Sequence, residues 1–223
     1  QVNYSSFFFD GESFDDELIV KLKQSDHILI SIPPVNGNDL VIKNFSKIIE
    51  KCSLKWITYL SATSVYGNHN GDWVNEESVT KPTSVNGINR LKAEKSWMFL
   101  AASKKLPVQI FRLSGIYSNQ RNILVRLKSG KSNIVNKNNN FFSRIHVEDI
   151  VKILFKSLLN FKSQEIYNIS DDKPSSSEEV MLYGAGLLDL KIPETFEVKK
   201  KESEMLKNFY KDSKKVSNKK MKS

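Results

Sequence analysis

Apolar residues along the chain fall into short continuous runs, and these alternate with stretches in which they recur at helical spacing. A brief apolar burst, Phe7-Phe8-Phe9, leads into an amphipathic stretch with Leu18, Ile19 and Leu22 on one face. Ile28 to Ile32 is a β-branched apolar run closed by Pro33 and Pro34, which predicts a buried strand that stops abruptly. A helix capped by Asn38 or Asp39 follows, with Leu40, Ile42, Phe45, Ile48 and Ile49 on one face. Trp56 to Ser61 is the next buried strand, so the three elements form a βαβ unit of a parallel sheet.

A polar loop from Thr63 to Lys81 precedes a long helix from about Thr83 to Lys104. "LPVQIFRLS" predicts a third strand, and "NQRNILVRLKSG" a helix closed by Gly130. "NNNFFSRIHV" is a short extended piece after a turn, "EDIVKILFKSLLN" an amphipathic helix and "QEIYNISDD" a strand. "SSSEEVMLYGAGLL" is a helix with a Ser cap and glutamates in its first turn; its Gly184-Ala185-Gly186 is read as a packing feature. The Lys-rich remainder is expected to fray, or to pack only through Met205, Leu206, Phe209 and Tyr210. The alternation predicts an open, doubly wound α/β sheet, with one domain over residues 1–195 and a tail over 196–223. Ligands of such sheets bind beyond the carboxyl ends of the strands. Here those ends are Pro33-Pro34-Val35, Ala62 to Asn68, Ser114 to Asn119 and Ser170 to Lys173.

Composition changes this picture little. The 223 residues are 39% hydrophobic and 26% charged, ordinary values for a globular protein. No apolar run approaches the roughly 18 residues that cross a bilayer. The one cysteine, Cys52, has no partner for an internal disulfide and reads as a half-buried helix thiol, which fits a reducing cytoplasm. The chain does not begin with Met, so a fragment of a longer protein is expected. Its net charge of +9 raises nucleic-acid binding as a possibility. That class is disfavoured, because nearly all the positive charge is Lys, and much of it sits in the last stretch, "EVKKKESEMLKNFYKDSKKVSNKKMKS". The arginines (Arg90, Arg112, Arg121, Arg126 and Arg144) are scattered and not interleaved with aromatics.

The candidate chemistry lies in "YLSATSVYGNHNGDWVNEES" and "TSVNGINRLKAEKSW". The first joins a hydroxyl-rich strand end to Val65-Tyr66-Gly67 and an acidic loop; the second opens a helix with Asn86 and Arg90 four apart, on one face. With "FRLSGIYS", "RIHVEDIVKIL" and "EIYNISDDKP" in order downstream, the chain resembles the extended short-chain dehydrogenase/reductase superfamily, the NAD(P)-dependent epimerase/dehydratase group, from about residue 26 to 185. The resemblance is greatest to atypical bacterial members. It implies a Rossmann-like doubly wound sheet with a small C-terminal substrate lobe. The family's opening strand, Gly-rich turn and helix, which cradle the pyrophosphate, have no counterpart here, so the first βαβ unit is expected to be missing.

The second departure is chemical. Family members carry a Ser or Thr at the strand end and a Tyr and Lys four apart on the next helix. The Lys lowers the Tyr pKa, and the phenol moves a proton as hydride is transferred. In frame, these positions fall at Ala62, Asn86 and Arg90. Asn86 cannot act as acid or base, and Arg90 stays protonated, with a pKa above about 12. Arg90 is read either as a ligand for ribose, phosphate or carboxylate, or as the partner of Glu94 in a surface ion pair.

By the resemblance, Tyr66, Asn86 and Arg90 occupy the catalytic region. Ile32, Pro33, Pro34, Ser61, Arg90, Leu113, Ser114 and Gly115 line the dinucleotide, and His69, Tyr117, Arg121, Arg144 and His146 face a small-molecule substrate. The proton donor would be one of Tyr66, His69, Tyr117 and His146. Arg144 with His146 would contact substrate or hold Asp149, or form a structural strand-to-helix corner; His27 is read as structural. No histidine pair has metal-ligand spacing. The implied cofactor is NAD or NADP, held weakly or not at all by a chain lacking the pyrophosphate turn, and the family allows a homodimer. The implied function is that of an NAD(P)-binding oxidoreductase or sugar-nucleotide-modifying enzyme; the alternative is a non-catalytic dinucleotide sensor or protein-interaction module.

Overall fold

The apolar runs become adjacent strands of one parallel sheet. The computed structural model describes residues 4–130, 134–135, 140–191, 195–196 and 212–223. The sheet contains β1 (His27–Ile30), β2 (Trp56–Ala62), β4 (Val108–Leu113) and β9 (Ile166–Ile169), in the order β1-β2-β4-β9, all parallel. The small strands are β3 (Trp73–Val74), β5 (Gly115–Tyr117), β6 (Ile134–Val135), β7 (Phe141–Phe142), β8 (Arg144–His146), β10 (Ser175–Ser176), β11 (Thr195–Phe196) and β12 (Lys215–Val216). The helices are α1 (Asp16–Gln24), α2 (Leu40–Ile49), α3 (Val85–Lys104), α4 (Ile123–Lys128), α5 (Val147–Leu159) and α6 (Ser177–Leu187), with a short helix at Lys219–Lys222. None among the described residues is long and apolar enough to cross a membrane.

Side chains alternate across the strands, so each face of the sheet carries its own core. On one face Ile57, Tyr59, Val108 and Ile110 pack against Val41, Phe45 and Ile49 of α2 and Ala93, Trp97 and Leu100 of α3. On the other, Phe111, Leu113 and Ile169 pack against Ile150 of α5, with Ile153 and Leu154 beside them. A fully buried Val, Leu, Ile or Phe side chain among them contributes about 1.5–3 kcal/mol. Strand β1 departs from the predicted buried strand. It ends at Ile30 and is the edge of the sheet, with Leu29 47% exposed. Asp39, not Asn38, caps α2 by accepting from the N–H groups of Val41 and Ile42.

A smaller lobe forms where α4 packs on α6 through Leu127, Met181 and Ala185. Gly184 lets them pack closely: a Cβ would lie 3.0 Å from Leu127 Cδ1 and 3.2 Å from Ile123 Cγ2, a tight contact. Ser176 and Glu179 close the expected cap of α6 reciprocally.

The end of the chain differs most from expectation. Residues 212–223 are docked rather than frayed; Met205, Leu206, Phe209 and Tyr210 lie outside the described residues. Strand β12 pairs in parallel with β3, Lys215 beside Trp73. The Ser213 carbonyl accepts from the N–H groups of His69 and Gly71, and the Asn68 side chain accepts from Ser213 N–H at 2.9 Å. Asn218 Nδ2 donates to the Ser170 carbonyl at 2.8 Å and to Asp172 Oδ1 at 2.7 Å.

Candidate functional site

The carboxyl ends of β2, β4 and β9 stand level, with Ala62 beside Leu113 and Leu113 beside Ile169. Directly after β2 the chain makes a tight 3-10 turn, Thr63–Tyr66. Two glycines fit this turn to α3. At Gly67, with φ 68°, a Cβ would meet the Lys81 carbonyl at 2.1 Å. At Gly87 it would lie 2.8 Å from the Ser64 carbonyl. The start of α3, capped by Ser84 on Gly87 N–H, is therefore seated against the end of β2. Asn86 is exposed in its first turn. Arg90 turns towards the sheet, and Nη1 donates to the Leu60 carbonyl at 2.7 Å. It does not pair with Glu94. Nearby the Tyr59 hydroxyl is buried beside the Arg90 guanidinium; burial pushes its pKa up, and Arg90 opposes this.

Glu94 belongs to a buried network. It is 2% exposed, accepts from Ser61 Oγ at 2.5 Å and is gripped by Arg112 Nη2 at 2.7 Å and Nε at 3.1 Å. Arg112 Nη1 also donates to the Tyr66 hydroxyl, which donates to Asn168 Oδ1 at 2.7 Å. Asn168 reaches the docked end of the chain, its Nδ2 donating to the Ser217 carbonyl. Three expected site residues are thereby located elsewhere. Ser61 faces α3 in the core rather than a cofactor. Tyr66 is fully buried, and its burial pushes the phenol pKa up, only partly offset by Arg112. His69 points Nε2 at the carbonyls of Tyr66 and Val79, 3.1 and 3.2 Å away, so that nitrogen carries the proton and the ring staples the loop.

The other expected residues converge. Beyond β4, strand β5 pairs with β8, setting Gly115 beside Arg144 and Tyr117 beside His146. The Tyr117 and His146 rings meet edge to face at 5.1 Å. His146 Nδ1 faces the Glu148 N–H and caps α5, so the corner is structural on that side. Asp149 pairs with Lys152 rather than with Arg144 or His146. Arg144 Nη1 donates to the carbonyls of Phe142 and Ser175. Burial raises the Tyr117 pKa, and Asp171 and Asp149 add to this while Arg144 opposes it. Arg121 lies outside the cluster, exposed at a turn closed with Ser118. Asp171 was not singled out from sequence, although it lies in the strand-end segment Ser170 to Lys173. Its N–H donates to the Arg144 carbonyl at 2.7 Å.

The residues just beyond β1 and β4 differ in exposure. Ile32 and Pro33 are exposed beyond β1, Pro34 is half-buried, and Gly115 is exposed beyond β4. Leu113 is buried, and the Ser114 hydroxyl is buried without a partner, the kind of orphaned group a ligand hydroxyl satisfies. Among the described residues, no three His, Cys, Asp or Glu side chains are placed to hold a metal ion.

No protein-family model and no curated protein matches the chain. Solved structures do. A functionally unknown conserved protein from Silicibacter pomeroyi is 36% identical, with a TM-score of 0.84, over 90% of this chain and 71% of that one. The dTDP-glucose 4,6-dehydratase of Bacillus anthracis, solved with NAD, is 18% identical with a TM-score of 0.74, over 92% of this chain and 68% of that one. UDP-glucuronic acid 4-epimerase from Bacillus cereus, also with NAD, is 16% identical with a TM-score of 0.73, over 94% and 72%. The chain therefore belongs to the family of the Silicibacter pomeroyi protein, and its fold is that of the epimerase/dehydratase-like short-chain dehydrogenases/reductases.

Proposed function

We propose that the chain is part of an NAD(P)-binding oxidoreductase or sugar-nucleotide-modifying enzyme whose proton-handling groups have moved from α3 to the β5–β8 pair. The observation that carries this is the edge-to-face pairing of Tyr117 with His146 beside Arg144, at the carboxyl ends of β4 and β9. The NAD held by the solved dehydratase and epimerase supports a dinucleotide here.

Ile32, Pro33, Pro34, Leu113, Ser114 and Gly115 would hold its ring and ribose end, where it supplies or accepts hydride. Arg90 would bind a ribose or phosphate oxygen with the N–H groups not used on Leu60. Tyr117, Arg144 and His146 would orient substrate, with Arg121 at the rim. A cytoplasmic homodimer, with residues 1–195 as the working domain and 196–223 as its tail, completes this assignment.

Ala62, Asn86 and Arg90 favour one alternative, a dinucleotide sensor without turnover, because none of the three can exchange a proton near neutral pH. Titration of the full-length parent protein with NADH and NADPH to millimolar concentration, followed by fluorescence and thermal shift, separates the cases. Absence of any response overturns both. Binding with turnover of UDP-glucose or dTDP-glucose, reduced about 10²–10⁴-fold in Tyr117→Phe or His146→Ala, supports the enzyme. Binding without turnover of either probe leaves the sensor.

A further inference from the structure

Helix α3 has two contrasting faces. Ala93, Trp97, Leu100 and Ala101 turn to the sheet and are buried. On the opposite side Val85, Ile88, Lys92, Lys95 and Phe99 recur at intervals of three and four, the heptad spacing of a seam that receives a second helix. All five are exposed, Val85 by 71%, Ile88 by 49% and Phe99 by 67%. Lys92, Lys95 and Phe99 border, with Ile42 of α2, an open groove of about 400 Å³. Single exposed apolar residues are ordinary on a protein surface; a file of them at seam spacing marks an interaction face.

The charge of the seam selects its occupant. Among the described residues neither lysine forms an ion pair, and no residue three or four positions from either is acidic. The charged residues of α2 are Lys43 and Lys47, both exposed, so the neighbouring helix adds positive charge. A second copy of α3 fits poorly. Laid antiparallel at full overlap, two copies set Lys92 of each against Lys95 of the other; laid parallel, they set each lysine against its own counterpart. Like charges facing one another across an interface reject that pairing. A helix with carboxylates at the two central positions and apolar residues to either side complements the whole seam.

We propose that the outer face of α3 is the docking surface for an acidic amphipathic helix of another protein. That helix lays apolar side chains on Val85, Ile88 and Phe99 and sets two carboxylates against Lys92 and Lys95. Apolar contacts at both ends exclude water from the middle, so the charge pairs fix the register. The proposal does not depend on the dinucleotide assignment, since Arg90 and Glu94 turn inward from the same helix.

A synthetic helix of about 20 residues, with Leu facing Val85, Ile88 and Phe99 and Glu facing the two lysines, tests this on the full-length protein by calorimetry. A second peptide with Lys in place of both Glu residues is the control. The Glu peptide should bind with a Kd below about 100 μM, and the Lys peptide at least about tenfold more weakly. Lys92→Glu with Lys95→Glu should reverse that order; both side chains are exposed, and an unchanged Tm checks that the fold is kept. Equal binding of the two peptides, or no binding by either up to about 1 mM, overturns the proposal. Sedimentation velocity of the protein alone tests the other occupant. Phe99→Ser should leave its oligomeric state unchanged; self-association that this change abolishes would assign the seam to a second copy and overturn the acidic partner.

Discussion

Arg112 stands in the middle of β4, where every neighbour along the strand is buried, and Glu94 faces it from α3. Two opposite charges removed from water cost several kcal/mol each, so this pair persists because both Glu94 oxygens and all three Arg112 nitrogens find partners in Ser61, Tyr66 or each other. Removing one member strands the other. Glu94→Ala should lower the stability of the chain by about 3–5 kcal/mol, read as a lower urea midpoint with an unchanged slope. Replacing both charges together, Glu94→Leu with Arg112→Met, should cost less than the single change. Comparable losses in the single and double variants would show that the pair does not act as a unit. The sequence pattern placed both residues in their elements but left Arg90 as a candidate partner for Glu94. Spacing along a helix names neighbours on one face; it does not say that a strand residue across the core competes for the same carboxylate.

The strands and helices of the main sheet were legible because each carries enough residues for its period to emerge. Strands β3 and β12 hold two residues each, too few to show alternation, and Lys-rich composition pointed β12 towards solvent. What docks it is a single buried apolar residue, Val216 against Val74, with backbone pairing and the amide of Asn218. The lysines around it are committed too: Lys220 pairs with Glu165 at 2.7 Å, Lys222 with Asp172, and Lys215 lies over the Phe141 ring. Asn218→Ala removes two hydrogen bonds from a buried site and should cost about 1–3 kcal/mol. Hydrogen exchange should then lose protection locally, at Val74 to Val216 contacts and at Gly71, before the central sheet is affected. Uniform loss across the sheet would show that the segment is integral to global unfolding rather than a separable clasp.

At the scale of the molecule, much of the positive charge is Lys in the last stretch of the chain, and several of these lysines are engaged in ion pairs. Fluorescence anisotropy with a duplex DNA at about 150 mM salt should show no saturable binding below roughly 100 μM, the weak end of non-specific association. Tighter, steeply salt-dependent binding would contradict this. The candidate site was partly legible at this scale. The strand-end argument pointed to Tyr117 and the family resemblance to Arg144 and His146, and β5–β8 pairing sets Tyr117 beside His146. Tyr66 and His69 turn inward because the 3-10 turn after β2 decides which way they face, and Ser61, still within β2, faces α3 by strand alternation. Asp171 was passed over because its unpaired oxygen is a property of packing and not of spacing. The clasp has one more consequence, in time rather than space. Ser213 closes on Asn68 across 145 positions of sequence, and among the described residues β3 has no strand partner until β12 arrives. On a ribosome, which releases a chain from its amino end at about 5–20 residues per second, the loop after β2 must wait for several seconds with its hydrogen bonds open to water. A pause in translation before residue 213 would prolong that exposed state, and a nascent chain arrested there should be cut by protease within that loop.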